Sequence, residues 1–146
     1  MSSPSVLPSG QAALLVRTSF DDEAAWASLL ERVTTPSPDG FLADVETVDA
    51  PGYRDLPARR LRELLPEGAY VTFFFVADST TLTDPQQPLL VVPVPQAQSP
   101  FLDEPPREPF RVAAGSLWSV ENNLSLSNCD WGDFAEQTEG GVYREP

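Results

Sequence analysis

The sequence predicts an α/β fold: one compact domain in which helices pack on a mixed β-sheet of four to six strands, with parallel βαβ units in the first half and a hairpin in the second. Two observations lead to this prediction. Short apolar runs alternate with amphipathic, helix-length segments in the first half, and two apolar runs flank a turn-rich segment in the second. The 146 residues suit a single domain. We expect residues 1–10 to form a disordered tail and residues 11–146 to form the domain.

The first predicted unit is a strand followed by a helix. Residues 12–18 (AALLVRT) form a short apolar run that ends in polar residues, as a buried strand does. Residues 21–33 then place apolar side chains at spacings of i, i+3, i+4 and i+7, which is one face of a helix. Asp21 is the expected N-cap, because an aspartate oxygen accepts from the free backbone N–H groups of the first turn.

The second predicted unit is again a strand and a helix. Residues 41–48 alternate, with Phe41, Ala43 and Val45 on one face, so we expect a half-exposed strand near an edge of the sheet. Residues 57–65 form a short helix that begins at a proline and carries three arginines on its outer face.

Three more strands are predicted further along the chain. Residues 69–78 are apolar without alternation, which favours a central strand that is buried on both faces. Residues 89–94 form the next strand, and Pro93, which lacks a backbone donor, indicates an edge or a strand end there. Residues 110–114 form one more short strand, after a Pro-rich loop at 95–109.

The stretch SLWSVENNLSLSNCDW, residues 116–131, admits two interpretations. As structure, Ser116 caps a helix that buries an apolar stripe, and Asp130 and Asp133 cap a second short helix. As a binding surface, the stretch combines carboxylate, amide and tryptophan side chains, and tryptophan is enriched at binding hot spots. The candidate interaction residues are Trp118, Glu121, Asn122, Asn123, Asp130, Trp131 and Asp133.

The chain is strongly acidic. It has 22 Asp and Glu residues against nine basic residues, all of them arginine, and a formal net charge of −13. Like charges repel, so we expect no binding to nucleic acid or to a membrane surface, whereas a basic protein partner is compatible with the charge. An acidic module that masks such a partner would act as inhibitors and immunity proteins of basic nucleases do. The alternative is that the charge only keeps the protein soluble. The sequence does not indicate the oligomeric state.

The chain lacks the residue types on which most enzyme mechanisms depend. Without histidine there is no Ser-His-Asp or Cys-His nucleophile system, and without lysine there is no Schiff base. Glycine-rich nucleotide-binding motifs are also absent from the sequence. The lone Cys129 excludes an internal disulfide and fits a reducing cytoplasm. We therefore expect neither a cofactor nor catalysis.

The alternative to an interaction role is a divalent-metal or small-ligand site. If the first three strands are parallel, the loops at their carboxyl ends carry Asp21 and Asp22, then Asp49, then Asp78 and Asp84. The candidate metal ligands are Asp21, Asp22 and Asp78. Ligands bind at those ends in open α/β sheets, and hard divalent cations take several oxygens from rigid loops. The arrangement resembles the Mg²⁺ pocket of phospho-accepting receiver domains, although those domains use a lysine that this chain lacks. The structural interpretation of each aspartate is a helix cap or a turn.

Four segments together resemble a known family. They are LLVRTSFDDEAAWASLL, GFLADVETVD, FFFVADSTTLTDPQQPLLVV and LWSVENNLSLSNCDWGDFAE. The family consists of small actinobacterial proteins known only as a domain of unknown function, and the resemblance spans about residues 12–144. It implies a fold unit and a cytoplasmic setting, and it assigns no activity and no catalytic residue.

Overall fold

A six-stranded mixed sheet forms the centre of the computed structural model, which describes residues 7, 13–65, 73–94, 109–125, 134 and 136–144. The strands are β1 (Ala13–Arg17), β2 (Val45–Val48), β3 (Phe73–Ala77), β4 (Leu89–Pro93), β5 (Phe110–Val112) and β6 (Val142–Tyr143). The α-helices are α1 (Glu23–Val33), α2 (Ala58–Glu63), α3 (Ser79–Thr83) and α4 (Leu117–Ser125). Short 3-10 turns occupy Pro51–Tyr53 and Ala114–Ser116. The described residues thus form one compact α/β domain.

The sheet has the predicted division into a parallel and an antiparallel part. Its strand order is β2-β1-β3-β4-β5-β6. β1 pairs in parallel with both β2 and β3, whereas β4 is antiparallel to β3 and to β5, and β6 returns parallel to β5. The βαβ prediction for the first half and the antiparallel pairing predicted for the second half are therefore confirmed.

The sheet separates two hydrophobic cores. On one face α1 and α4 pack through residues such as Leu29 and Val120, and on the other face α2 packs through Leu61. β3 supplies both cores, because Phe75 lies in the first and Phe74 in the second. All five residues of β3 are buried, so the prediction of a central strand buried on both faces is confirmed.

Side-chain contacts explain two of the differences between predicted and observed element boundaries. The N-cap of α1 is Asp22, whose side chain accepts from the backbone N–H of Ala25 at 2.9 Å, and the predicted cap Asp21 instead forms an ion pair with Arg54. The predicted strand 41–48 is regular only from Val45 onward, because the residues before it are held by side chains of α4.

A short helix that the sequence analysis did not predict lies between β3 and β4, in a segment of turn-rich composition. Asp78 caps α3 in a capping box: its carboxylate accepts from the Thr81 backbone, while the Thr81 hydroxyl accepts from the Asp78 backbone. Thr81 is fully buried and donates its hydroxyl to the carbonyl of Pro88 as well. Threonine is a weak helix former, so the capping contacts and this burial sustain the short helix rather than propensity.

The amino-terminal prediction needs one correction. Leu7 is buried in the core beside α2 and donates its backbone N–H to the carbonyl of Leu64 at 2.8 Å, so the predicted disorder does not hold at Leu7. The other residues of 1–10 lie outside the described residues, as does the Pro-rich loop up to residue 108. In the part of the chain that the structure describes, none of the helices has the length and apolar character of a membrane crossing.

Candidate interaction surface

Two large apolar side chains lie on the surface between α1 and β2. Phe41 is 49% exposed and Leu42 is 44% exposed, and they are the exposed large hydrophobic residues among those described. The alternation of residues 41–48 predicted a strand with Phe41, Ala43 and Val45 on one face, but the regular strand begins only at Val45 and Phe41 is exposed. Leu42 was the available signal, since it interrupts the polar face that Asp44 and Glu46 continue. Adjacent exposed apolar side chains that form a patch mark interaction sites, whereas single exposed apolar residues are normal on protein surfaces.

A tight turn orders this segment from its amino-terminal side. Ser37 donates its backbone N–H to the carbonyl of Phe41 at 2.7 Å, and its hydroxyl accepts from the Phe41 backbone N–H at 3.0 Å. Gly40 has φ of +86°, a left-handed conformation that glycine adopts without strain. The two apolar side chains are therefore presented on an ordered backbone.

Helix α4 holds the same segment from the other side. The Trp118 ring stacks on Phe41, with centroids 5.2 Å apart and the planes 10° from parallel. Asn122 donates its side-chain amide to the carbonyl of Leu42 at 3.0 Å, and a carboxylate oxygen of Glu121 accepts from the backbone N–H of Asp44. We call Phe41, Leu42 and Trp118, with the carboxylates of Asp39, Asp44 and Glu46 beside them in the chain, the Phe41 surface.

The residues predicted for interaction thus divide by their contacts. Trp118 is partly exposed within the Phe41 surface. Glu121 is 4% exposed and holds the segment before β2 through its contact with the Asp44 backbone. Asn123 donates its side-chain amide to the carbonyl of Ser119 at 2.8 Å, inside α4. Asp130, Trp131 and Asp133 lie outside the described residues. Residues of the 116–131 stretch therefore mainly hold the Phe41 surface in place, and Trp118 is the one that the described structure shows within that surface.

Exposed carboxylates lie on both sides of Phe41 and Leu42 along the chain. Asp39, Asp44, Glu46 and Asp49 are all exposed. The chain has no basic residue between Arg32 and Arg54, so neutralisation of this segment must come from elsewhere in the fold or from a partner. Asp49 has such an internal partner, since it lies 3.3 Å from the guanidinium of Arg17.

The three aspartates of the metal hypothesis each have a different structural contact. Asp21 pairs with Arg54 at 2.6 Å and Asp22 caps α1. Asp78 caps α3 and pairs with an arginine of β5. Among the described residues, no three acidic or sulfur side chains lie together in a group that could hold a metal ion. The structure therefore gives these aspartates capping and pairing contacts and does not assemble them into one site.

The match to a known family covers every described helix and strand. Residues 12–146 match DUF6924, a domain of unknown function. The chain belongs to this family. No curated protein matches the chain. Membership of DUF6924 confirms the resemblance to a domain of unknown function.

Arg17 is a feature of this DUF6924 domain that the sequence prediction missed. It ends β1, is 2% exposed, and is sandwiched near the rings of Phe20 (4.4 Å) and Trp26 (5.0 Å). Burial lowers the pKa of Arg17, but the hydrogen bond that its guanidinium donates to Glu23 at 2.8 Å and the charges of Glu23 and Asp49 raise the pKa above the usual arginine value. The pair of carboxylates offsets the cost of burying a guanidinium. A polar residue at the end of an apolar run carried no sign of this burial.

Proposed function

We propose that this protein is a non-catalytic interaction module that binds a basic protein partner through the Phe41 surface. The observation that carries the proposal is the exposure of Phe41 and Leu42 on a backbone fixed by four contacts from Ser37 and α4. An ordered apolar projection loses little conformational freedom on binding, so more of its burial energy appears as affinity. Its acidic surroundings favour a cationic partner and repel an anionic one.

The proposal explains why α4 uses polar residues against a loop. A buried carboxylate is costly unless it is hydrogen-bonded, and Glu121 is buried where it accepts from the Asp44 backbone. Stability alone does not require a buried carboxylate that holds a surface loop, since surface loops tolerate mobility. Fixing the loop makes sense where its side chains must meet a partner in one geometry.

The proposal also includes a cellular compartment and a role. We infer that the protein works in the cytoplasm of an actinobacterium, as an inhibitor, an immunity-like protein or an accessory protein. The support is the single cysteine, which suits a reducing compartment, and the family resemblance of the segments quoted above.

Selection of displayed random peptides on the immobilised protein tests this function. We expect enriched peptides to combine arginine or lysine with apolar residues, and we expect their binding to weaken as salt is added, because exposed charges are screened. Replacing Phe41 and Leu42 together by alanine should weaken the selected peptides by about tenfold or more, since central apolar contacts dominate binding energy.

A matched pair of charge variants separates specific from general attraction. Asp44→Asn with Glu46→Gln removes two charges of the Phe41 surface. Glu136→Gln with Glu139→Gln removes two exposed charges near β6, at the opposite edge of the sheet. We expect the first pair to slow association several-fold more than the second at low salt. Equal effects of the two pairs, or selected peptides that bind the alanine variant as well as the parent, would overturn the proposal.

A further inference from the structure

The outer edge of β2 offers free backbone groups next to the Phe41 surface. β2 is an edge strand and, among the described residues, pairs only with β1. Ala13 lies opposite Val45 and donates its N–H to the carbonyl of Asp44 at 3.3 Å. In a parallel pair this places the N–H and C=O of Val45, and by alternation those of Thr47, on the side away from β1. Neither residue has a hydrogen-bond partner for these groups among the described residues.

Charge decides which strand could add to this edge. A second copy of β2 would bring Asp44 and Glu46 against their own equivalents, and charged residues on an edge strand are a recognised defence against such pairing. The same carboxylates attract a strand that carries positive charge, because opposite charges on paired strands stabilise a sheet. The charges of β2 therefore disfavour pairing of two copies of this edge and favour pairing with a basic segment.

The two faces of the edge differ in chemistry. Val45 packs against the core beneath α1 and α4, which is also the core against which Trp118 packs. Val48 belongs to the core on the α2 side, and alternation places the exposed Glu46 on that face. A strand added beside β2 would thus direct every second side chain towards the apolar part of the Phe41 surface and the others towards a carboxylate.

We propose that the edge of β2 takes up an extended segment of the partner in which basic and apolar residues alternate, adding a seventh strand beside the six described here. This inference rests on the proposed function and specifies the partner's conformation at that surface. Backbone hydrogen bonds supply affinity in this mode of recognition, and the alternate side chains supply specificity.

A blocked peptide of about eight residues in which lysine alternates with valine is the probe for this strand addition. We expect it to bind the protein and to slow hydrogen exchange of the Val45 and Thr47 amides, since both become bonded. The same peptide with N-methylated backbone amides keeps its charge and side chains but cannot donate. Its affinity should fall by about tenfold or more. A peptide of equal composition with the lysines and valines in separate blocks should also bind more weakly.

A substitution in the protein provides the reciprocal test. Thr47→Pro removes an outward donor and leaves the β1 ladder intact, as proline is tolerated where an edge N–H faces solvent. Thr47→Val keeps the donor and is the matched control. Binding lost by the proline variant and kept by the valine variant supports strand addition, and the N-methylated peptide gives the same information if the proline variant does not fold.

The outcomes distinguish this inference from the function on which it rests. If the N-methylated peptide or the Thr47→Pro variant binds within about twofold of its parent, strand addition is wrong. The same holds if library-selected basic peptides bind and the alternating peptide does not. In either case the interaction role stands, provided that alanine at Phe41 and Leu42 still weakens the selected peptides by about tenfold or more. If no basic peptide binds, both proposals fail.

Discussion

Asp78 connects α3 to the far part of the sheet, and its replacement measures that connection. Its carboxylate accepts from the backbone N–H of Thr81 at 3.1 Å and from two guanidinium nitrogens of Arg111, at 3.0 and 2.8 Å. Asp78 follows β3, whereas Arg111 lies on β5, two strands away. The two side chains are 27% and 23% exposed. This partial burial places the pair between exposed ion pairs, whose loss costs little, and buried ion pairs, in which removal of one partner leaves an unpaired buried charge.

The expected magnitudes follow from these two contacts. Loss of a helix cap costs about 1 kcal/mol, and loss of a half-buried, bidentate pair costs about 2 kcal/mol. Asp78→Ala removes both contacts, so we predict about 3 kcal/mol of destabilisation. Asp78→Asn keeps the cap, because asparagine is an equally good capping residue, and should cost about 2 kcal/mol. In a chain of this length the corresponding losses in Tm are about 10 °C and 6 °C.

The pH dependence has a definite sign. Burial raises the pKa of Asp78, but the hydrogen bond and charge of Arg111, with the bonds from Thr81, more than offset this and lower the pKa below the usual aspartate value. The unfolded chain therefore binds a proton more readily than the folded protein does. The stability contributed by the pair is complete above a pH of about 4 and is lost as the pH falls below it.

Urea denaturation of the parent and both variants at pH 7 and pH 3 checks the magnitude and the sign together. Asp22 provides the control, since it caps α1 without an arginine partner among the described contacts. Asp22→Asn should change the free energy of unfolding little and Asp22→Ala by about 1 kcal/mol. An Asp78→Asn variant no less stable than Asp22→Asn, or a stability difference between parent and Asp78→Asn that persists unchanged at pH 3, would refute the reasoning.

Further outcomes follow from other contacts. Glu121→Ala leaves the Asp44 N–H without its acceptor, so hydrogen exchange of that amide should accelerate and stability should fall by about 1–3 kcal/mol, whereas Asn123→Ala should leave that exchange rate unchanged. Arg17→Lys should cost about 3 kcal/mol by urea denaturation, because an ammonium cannot reproduce the forked contacts of the buried guanidinium, and a cost below about 0.5 kcal/mol would contradict this. Burial raises the pKa of Tyr53, so ultraviolet titration should show a raised component that Tyr53→Phe lacks. Stability should fall as the pH rises from the ordinary phenol value through that raised pKa, because the folded protein disfavours the ionised form. Mg²⁺, Mn²⁺ or Ca²⁺ should leave the Tm unchanged, and a rise in Tm that depends on metal concentration would revive the aspartate site.

The candidate surface shows where sequence reasoning loses information. Charge, the acidic segment before β2 and the distinctive stretch containing Trp118 were all visible in the chain. The pairing of that stretch with residues 41–44 was not, because it joins positions about 80 apart, such as Asn122 and Leu42. Without that contact, alternation was the available guide to Phe41, and alternation does not indicate that Phe41 stays exposed. A local sequence pattern indicates which side chains share a face of an element. It does not indicate which element from elsewhere in the chain packs against that face.

By itself the sequence determined the class of fold and much of its order. The continuous apolar run of β3, the amphipathic spacing of α1 and the end of β4 at Pro93 are all local consequences of side-chain chemistry. The tertiary structure alone decided that Arg17 is buried, that Glu121 brackets a loop, and that Phe41 and Leu42 remain on the surface. The physical reason is that burial of a charge, or exposure of an apolar ring, depends on partners brought together by packing across the chain, and no local periodicity encodes them.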